Sequence, residues 1–296
     1  MNPLLQAIDD YLTLRRALGF KLSGHDRMLA DFVAHLEHSG ASTITVQAAL
    51  EWATKPAAAQ PIRWRARLCI VRGFARYLHS ADSSVEVPAV DLLPHRHHRP
   101  IPYLYSPADI HALLAAAGQI RAPLRAATYQ TCLGLLAATG IRVGEAIRLD
   151  RTNVDLTAGL ITIRETKFNK SRRLPVHSTT VAALHDYTRL RDQLCRPRRT
   201  ASFFVSTTGA RLIDTNLHET FRKLVTQANI GPGKSPKIHG LRHSFAVATL
   251  LGWYRDGVDV QARLPLLSAY LGHGHPSSTY WYLSAHQSCW RWRPPA

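Results

Sequence analysis

The chain has 296 residues, enough for one large or two ordinary domains, and 46% of them are hydrophobic, which is ample for a core. Its 37 lysines and arginines against 20 acidic residues give a formal net charge of +17. That surplus favours a polyanionic partner, nucleic acid first, over a membrane surface, because the arginines are not confined to one amphipathic segment. No apolar run reaches the length of a membrane span. The four cysteines lie far apart, so we expect neither a zinc site nor a disulfide framework but thiols in a reducing cytoplasm.

The first part of the sequence predicts an all-helical domain over residues 1–82. Apolar residues recur at helical spacing in 4–18 and 26–38, Thr45 can cap a third helix, and Pro61 stands near the start of a fourth. The fourth helix carries more arginines than a solvated face needs, which suits a DNA backbone, although solvent is an equal alternative for any one of them. The candidate DNA contacts on this helix are Arg63, Arg65, Arg67, Arg72 and Arg76.

A segment rich in proline, serine and polar residues, 83–102, lacks helical periodicity and predicts an interdomain linker. The second domain, 103–296, opens with Ser106, Pro107 and Asp109 in the pattern of a capping box at the start of a helix.

The rest of the second domain mixes helical patterns with one hairpin signature. A buried helix is predicted to end at Gly140, and "LITIRETKFNKSRRLPV" alternates on either side of a polar turn. Helical patterns return at 178–195, 214–229 and 239–252. The whole chain therefore predicts a mainly α fold with a small antiparallel β-sheet, divided into two domains.

Two stretches of the second domain carry side chains that could hold an anion. In "ATGIRVGE", Arg142 follows the glycine that ends a helix, and Glu145 stands three residues later, close enough to orient the guanidinium. In "KIHGLRHSFA", His239 and Arg242 share one face of the first turn of a helix, and the free backbone donors of that turn also favour an anion.

Two further stretches add a lysine, a histidine and two tyrosines. The predicted hairpin carries Lys167, and "YLGHGHPSSTYWYLSA" carries His273 followed by Tyr280 and Tyr282. A phenol is a poor nucleophile at neutral pH unless cations or a base surround it, so these stretches have to converge for chemistry to occur. Further basic residues crowd the hairpin tip and make DNA contacts credible there: Lys170, Arg172 and Arg173.

Taken in order, these residues resemble the active-site pattern of the tyrosine recombinase (phage integrase) family: arginine, hairpin lysine, His-x-x-Arg, histidine and tyrosine. The positions that match are Arg142, Lys167, His239, Arg242, His273 and Tyr282. The family's nucleophile typically lies nine residues after the last histidine, which selects Tyr282 and leaves Tyr280 with a packing or orienting role. The resemblance covers 103–285 strongly and 1–90 as a helical core-binding domain, and "FNKSRRLPVH" and "STYWYLSA" look most like the branch of transposons and related mobile elements.

The resemblance implies a SAM-like core-binding domain and an α+β catalytic domain that cuts and rejoins duplex DNA through a 3′-phosphotyrosine, without metal, cofactor or ATP. Both arginines would hold the scissile phosphate, Lys167 would protonate the leaving 5′ oxygen, and His239 would accept the phenol proton. His273 would hydrogen-bond the phosphate, and Glu145 would orient active-site groups.

The resemblance also implies how the protein assembles. We expect a core site made of inverted repeats, two protomers on each site and four in the synapse, on the nucleoid of a prokaryotic cytoplasm. Sister recombinases and accessory factors are left open as further partners.

Other interpretations stay open at this level. A Xer-like resolvase shares the chemistry, and a type IB topoisomerase uses nearly the same constellation but relaxes DNA without strand exchange. A catalytically silent DNA-binding protein would have lost one of the matched residues, and a metal-dependent nuclease would lose its activity to a chelator.

Overall fold

A computed structural model of the chain describes residues 3–94, 102–164, 171–195, 200–275 and 277–285. The chain divides into two compact units, residues 1–99 and 100–296. Within the described ranges, no helix combines the length and the apolar character that crossing a bilayer requires.

Helices build the first unit around one core. Their bounds are α1 Pro3–Ala17, α2 His25–His38, α3 Val46–Thr54 and α4 Pro61–His79. At the centre of the core, Trp52 meets Phe32 edge-on at 5.3 Å between ring centroids. Thr45 caps α3 as the sequence predicts, because its hydroxyl accepts the backbone N–H of Ala48 at 3.1 Å.

The residues that follow α4 pack back onto the same unit. Val85 is buried in its core, and the Arg72 guanidinium donates to the carbonyls of Pro88 and Ala89, each at 2.7 Å. The first part of the segment predicted as a linker therefore lies against the helices, and 95–101 lies outside the described residues.

The second unit combines helices with a small sheet. Its elements are α5 Pro107–Gly118, α6 Pro123–Thr139, α7 Val143–Arg148, β1 Val154–Asp155, β2 Leu160–Ile163, β3 Arg172–Pro175, α8 Ser178–Leu194, α9 Asp214–Gln227, α10 His239–Arg255, α11 Val260–Leu271 and α12 Ser277–Ala285. The strands pair antiparallel in the order β1-β2-β3, with Ile163 opposite Arg172. The predicted mainly α fold with a small antiparallel sheet is confirmed, and the hairpin bend, 165–170, lies outside the described residues.

Local signals in the sequence set the helix ends of the second unit. Ser106 and Asp109 form the expected capping box, in which the Asp109 carboxylate accepts the Ser106 N–H at 2.8 Å and the Ser106 hydroxyl accepts the Asp109 N–H at 3.1 Å. Helix α6 ends at Gly140, which takes the left-handed conformation with φ 62°. A Cβ at Gly140 would lie 2.5 Å from the Phe245 ring, so the tight approach of α6 to α10 requires glycine.

Helices α10, α11 and α12 share a hydrophobic cluster within the second unit. Its buried members include Leu250, Leu264, Leu271 and Tyr282. The packing of α12 therefore buries the ring of Tyr282 among the aliphatic side chains of this cluster.

We predict that Gly140→Ala lowers the free energy of unfolding by about 2–4 kcal/mol, because a left-handed alanine and an overpacked ring contact each cost about 1–2 kcal/mol. The matched control is Gly134→Ala within α6, where an added Cβ would meet only Leu114 at 3.8 Å. That change should raise stability by about 0.5–1 kcal/mol through helix propensity. Denaturant unfolding of both variants measures the difference, and equal effects would contradict the packing described here.

Candidate active site

The first component of the site is an arginine held at the start of α7. Glu145, in the first turn of that helix, accepts the Arg142 backbone N–H at 2.9 Å and the Arg142 Nη1 at 2.8 Å. The Glu145 side chain is 2% exposed, whereas the Arg142 side chain is 38% exposed. The carboxylate is thus buried against the helix N-terminus, where negative charge is favoured, and it leaves part of the Arg142 guanidinium facing solvent.

The second component is the C-terminal turn of α11. Gly272 takes the left-handed conformation with φ 68°, and the backbone N–H groups of Gly272 and His273 bond back to Ala269 and Ser268 at 3.0 Å each. This capping satisfies the earlier carbonyls and leaves the last ones of the turn without helical partners.

Three arginines donate hydrogen bonds to those remaining carbonyls, one arginine to each of three successive residues. The bonds are Arg172 Nε to Tyr270 O at 2.8 Å, Arg242 Nη2 to Leu271 O at 2.8 Å, and Arg142 Nη2 to Gly272 O at 2.7 Å. A helix C-terminus carries partial negative charge, so it stabilises three guanidinium groups that would otherwise repel one another. The turn therefore brings Arg142 and Arg242 together as the sequence motif requires.

Arg242 lies deeper than Arg142. It is 3% exposed, and its Nη1 donates to the Gly140 carbonyl at 2.7 Å. Burial and the charge of Arg142 lower the Arg242 pKa to about 10, against the opposing effect of Tyr282 and Glu145, so Arg242 stays charged at neutral pH. The Tyr282 side chain is also a hydrogen-bond partner of Arg242.

Two histidines of the motif flank these arginines and are neutral at pH 7. Desolvation of its ring, followed by the charges of Arg242 and Arg142, lowers the pKa of His239 below its usual value, although the residue as a whole is exposed. The same causes lower the pKa of His273 to about 4, and its Nδ1 lies 2.7 Å from the Thr279 hydroxyl. A neutral imidazole can accept a proton, which a cation beside two arginines could not do.

The candidate nucleophile lies inside this group. Tyr282 is 3% exposed, with ring centroids of His273, His243 and Trp281 at 6.0, 5.4 and 5.4 Å. His243 also meets His239 at 4.7 Å between ring centroids, so it packs between the motif and the last helix.

Of the packing or orienting role expected for Tyr280, the packing role is wrong. Its side chain is 54% exposed, because residues two apart on α12 point about 200° apart and only the Tyr282 side faces α10 and α11. The structure thus separates the two phenols clearly, one in the site and one in solvent.

Among the DNA contacts predicted at the hairpin, the one assigned to Arg172 is corrected by the structure. Its side chain is 13% exposed and its fork donates to both oxygens of Glu145, so it faces the site and not DNA. Arg173 is exposed as expected, and Lys167 and Lys170 lie outside the described residues. Alternation along β3 could have revealed the orientation, since Arg172 shares a face with the buried Leu174.

The α4 arginines also divide into inward and outward groups. Arg72 is buried on the carbonyls described above, and Arg67 lies over the Trp52 ring at 3.7 Å while donating to the Trp52 carbonyl at 3.0 Å. A duplex phosphate cannot reach the Arg72 guanidinium, so we correct its predicted DNA contact, and the Arg67 guanidinium is largely occupied. The remaining candidates are exposed or half-buried: Arg63, Arg65 and Arg76.

Comparison with known proteins agrees with this arrangement. The model of the phage integrase family matches residues 105–288. The chain is 43% identical over 293 residues to the Sinorhizobium fredii (strain NBRC 101917 / NGR234) protein y4rB, whose name places it among integrases/recombinases, covering 96% of this chain and 93% of that protein. It is 29% identical over 296 residues to tyrosine recombinase XerD of Mycobacterium tuberculosis H37Rv, covering 94% and 91%.

Solved structures resemble the fold at lower identity. One is the Tn1549 transposon integrase in complex with a circular intermediate DNA, with a TM-score of 0.67, 15% identity and 95% of both chains covered. Another is the XerH site-specific recombinase bound to a palindromic difH substrate in a post-cleavage complex, with a TM-score of 0.66, 17% identity, and 89% and 76% covered. The family match and the y4rB identity together show that this chain belongs to the phage integrase family of tyrosine recombinases, which cleave and rejoin DNA.

Proposed function

We propose that the protein carries out site-specific recombination of a mobile DNA element, for its integration, excision or transposition, with Tyr282 as the nucleophile. The observation that carries the proposal is the contact between the Tyr282 side chain and Arg242, within the group that the end of α11 organises. A phenol placed on a guanidinium beside a neutral histidine has the surroundings that a tyrosine nucleophile needs.

The scissile phosphate would bind to the two arginines of the motif. Arg142 offers the guanidinium edge that Glu145 and Gly272 leave exposed, and Arg242 lies behind it with its orientation fixed by two carbonyls. Donors held in place before the reaction stabilise charge that grows in the transition state, and removing one such donor typically costs about 10²–10³ in rate.

Cleavage would proceed by in-line attack of the Tyr282 oxygen on phosphorus. The new bond joins the phenolic oxygen to the 3′ phosphate, the bond from phosphorus to the 5′ oxygen breaks, and His239 takes the phenol proton. We assign the proton that the leaving 5′ oxygen needs to Lys167, which stays a prediction because it lies outside the described residues. The phosphotyrosine conserves the energy of the broken bond, so a 5′ hydroxyl from another strand reverses the step without ATP.

The resting position of Tyr282 implies one more step. Tyr282 is only 3% exposed, so we infer that α12 shifts before its oxygen attacks a duplex phosphate. We therefore expect DNA binding to precede and outpace formation of the covalent adduct.

Duplex DNA and other protomers are the partners that we assign. The surplus positive charge supports DNA binding by both domains, taken as a core-binding domain at 1–82, a linker at 83–102 and a catalytic domain at 103–296. We propose a core site of inverted repeats, two protomers per site and a tetrameric synapse on the prokaryotic nucleoid, with sister recombinases or accessory factors as further partners. The names of the relatives above do not favour a topoisomerase.

The Tyr282 assignment predicts opposite results for two conservative changes. A randomised pool of duplexes first yields the bound site, and a nick beside the cleavage position then traps the adduct on a denaturing gel. Tyr282→Phe should bind this duplex as wild type does but form no adduct, because it lacks the nucleophilic oxygen. Tyr280→Phe is the matched control and should form the adduct, since its side chain lies in solvent. An adduct mapped to Tyr280, or one that persists in Tyr282→Phe, would overturn the assignment.

The lowered pKa of His239 predicts the pH dependence of cleavage. A base with a depressed pKa stays neutral to lower pH, so the second-order rate of adduct formation should stay flat from pH 8 down to about 6.5, the ordinary histidine value, and fall only below it. The pKa of His273 is about 4 and that of Arg242 is about 10, so neither group titrates between pH 6.5 and 8. His239→Gln should be about 10²-fold slower and should lack the acid limb. A limb centred above pH 6.5, or one retained in His239→Gln, would contradict the role of this base.

A further inference from the structure

A third arginine of the site, Arg172, faces the interior, with its side chain 13% exposed. Arg172 lies at the start of β3, and its Nη1 and Nη2 donate to the two Glu145 oxygens at 3.1 and 2.8 Å. Its Nε donates to the Tyr270 carbonyl at 2.8 Å. All three nitrogens of the guanidinium are therefore used, in the two-pronged geometry that only arginine supplies to a carboxylate.

Glu145 depends on this partner more than on Arg142. The Arg172 side chain is 13% exposed and that of Arg142 is 38% exposed, so solvent screens the Arg172 pair less. Burial acts to raise the pKa of Glu145, but the hydrogen bonds from Arg172, the Arg142 backbone N–H and the two positive charges lower it to about 2. The carboxylate therefore stays ionised in a place where an unpaired charge would be costly.

The path of the backbone at the end of α11 is adapted to Arg172. A Cβ on Gly272 would lie 2.6 Å from Arg172 Nη1, so a glycine is needed for the guanidinium to pass. The same Gly272 supplies the carbonyl that holds Arg142 at 2.7 Å. Both supports of Arg142, the Glu145 carboxylate and the α11 turn, are thus in contact with Arg172.

We propose that Arg172 is a positioning residue for DNA cleavage: it clamps Glu145 to the C-terminal turn of α11 and thereby holds Arg142 ready for the scissile phosphate. The inference rests on the proposed role of Arg142. Arg172 does not touch the phosphate itself, and it transmits its effect through the two groups that bond Arg142. It also ties the base of the β2–β3 hairpin to the site, since Arg172 pairs with Ile163 in the sheet.

The test compares two forms of one nicked duplex that contains the selected site. The first has the natural scissile phosphodiester, and in the second a methyl group replaces one non-bridging oxygen, so that linkage is neutral. The neutral linkage carries one negative charge fewer than the phosphodiester, in the ground state and in the transition state, so its cleavage depends less on Arg142, whereas the nucleophile and the leaving group are unchanged. The single-turnover rate of adduct formation at saturating DNA is measured on both.

The variants are Arg172→Ala and Arg172→Lys, the second keeping a positive charge beside Glu145 if the first does not fold. On the phosphodiester, both variants should form the adduct about 10- to 100-fold more slowly than wild type, the range typical for residues that orient the groups in direct contact with the reacting centre. On the neutral linkage, the ratio of wild-type to variant rate should return to near 1.

Arg191→Ala is the matched control for the loss of a buried arginine. Arg191 is 2% exposed, and it donates to Asp192 at 3.0 Å and to the Phe203 carbonyl at 2.7 Å, and its hydrogen bonds within the described residues reach no motif residue. It should lower the melting temperature while the folded enzyme cleaves both linkages at the wild-type rate.

The outcomes separate the inference from the proposed function. A defect of Arg172→Lys that is equal on both linkages, or no defect on either, would overturn the positioning role. Absence of any wild-type adduct on the phosphodiester would instead overturn the proposed function and the inference with it.

Discussion

The last turn of α11 is the feature on which the rest of the site depends. Three successive carbonyls that the helix cannot satisfy each take one guanidinium, and together they gather arginines from β3, α10 and the start of α7. Like charges at this spacing repel, so the partial negative charge of the helix end and the buried Glu145 carboxylate are what make the cluster stable. The three arginines are therefore held together in the absence of DNA.

The same cluster controls the titrating groups around it. Together with burial, its positive charge holds His239 and His273 neutral, while Arg242 remains a cation because its lowered pKa, about 10, is still well above neutral pH. A base and a cation can then act on one phosphate at the same pH. Tyr282 packs against this group and is buried, which is why we propose that α12 moves before cleavage.

Much of the architecture could be predicted from local sequence signals. Apolar periodicity located most helices, and the Thr45 cap, the Ser106–Asp109 capping box and the Gly140 helix end all follow from short-range chemistry. The order of the motif residues identified the family, since six matches in sequence are far more specific than any one of them.

Orientation was harder to predict than position. Arg172 and Arg72 were predicted to be surface charges, yet both point inward. The orientation of a basic side chain depends on the apolar surface that its stem covers and on the acceptors that its guanidinium reaches in the fold. Periodicity contained a partial signal: Arg72 stands four residues after the buried Leu68, and Arg172 alternates with the buried Leu174. The bonds to the end of α11 join residues as far apart as 130 positions, as for Arg142 and Gly272, so no local pattern could show them.

A crystal structure of the protein bound to its nicked DNA site, with Tyr282→Phe to stop the reaction, tests this account most directly. The account predicts that the carbonyls of Tyr270, Leu271 and Gly272 keep their arginines at hydrogen-bonding distance while Arg142 gains the scissile phosphate. A complex in which Arg142 and Arg242 have left those carbonyls to reach the phosphate would contradict it, because the site would then be assembled by DNA and not by the end of α11.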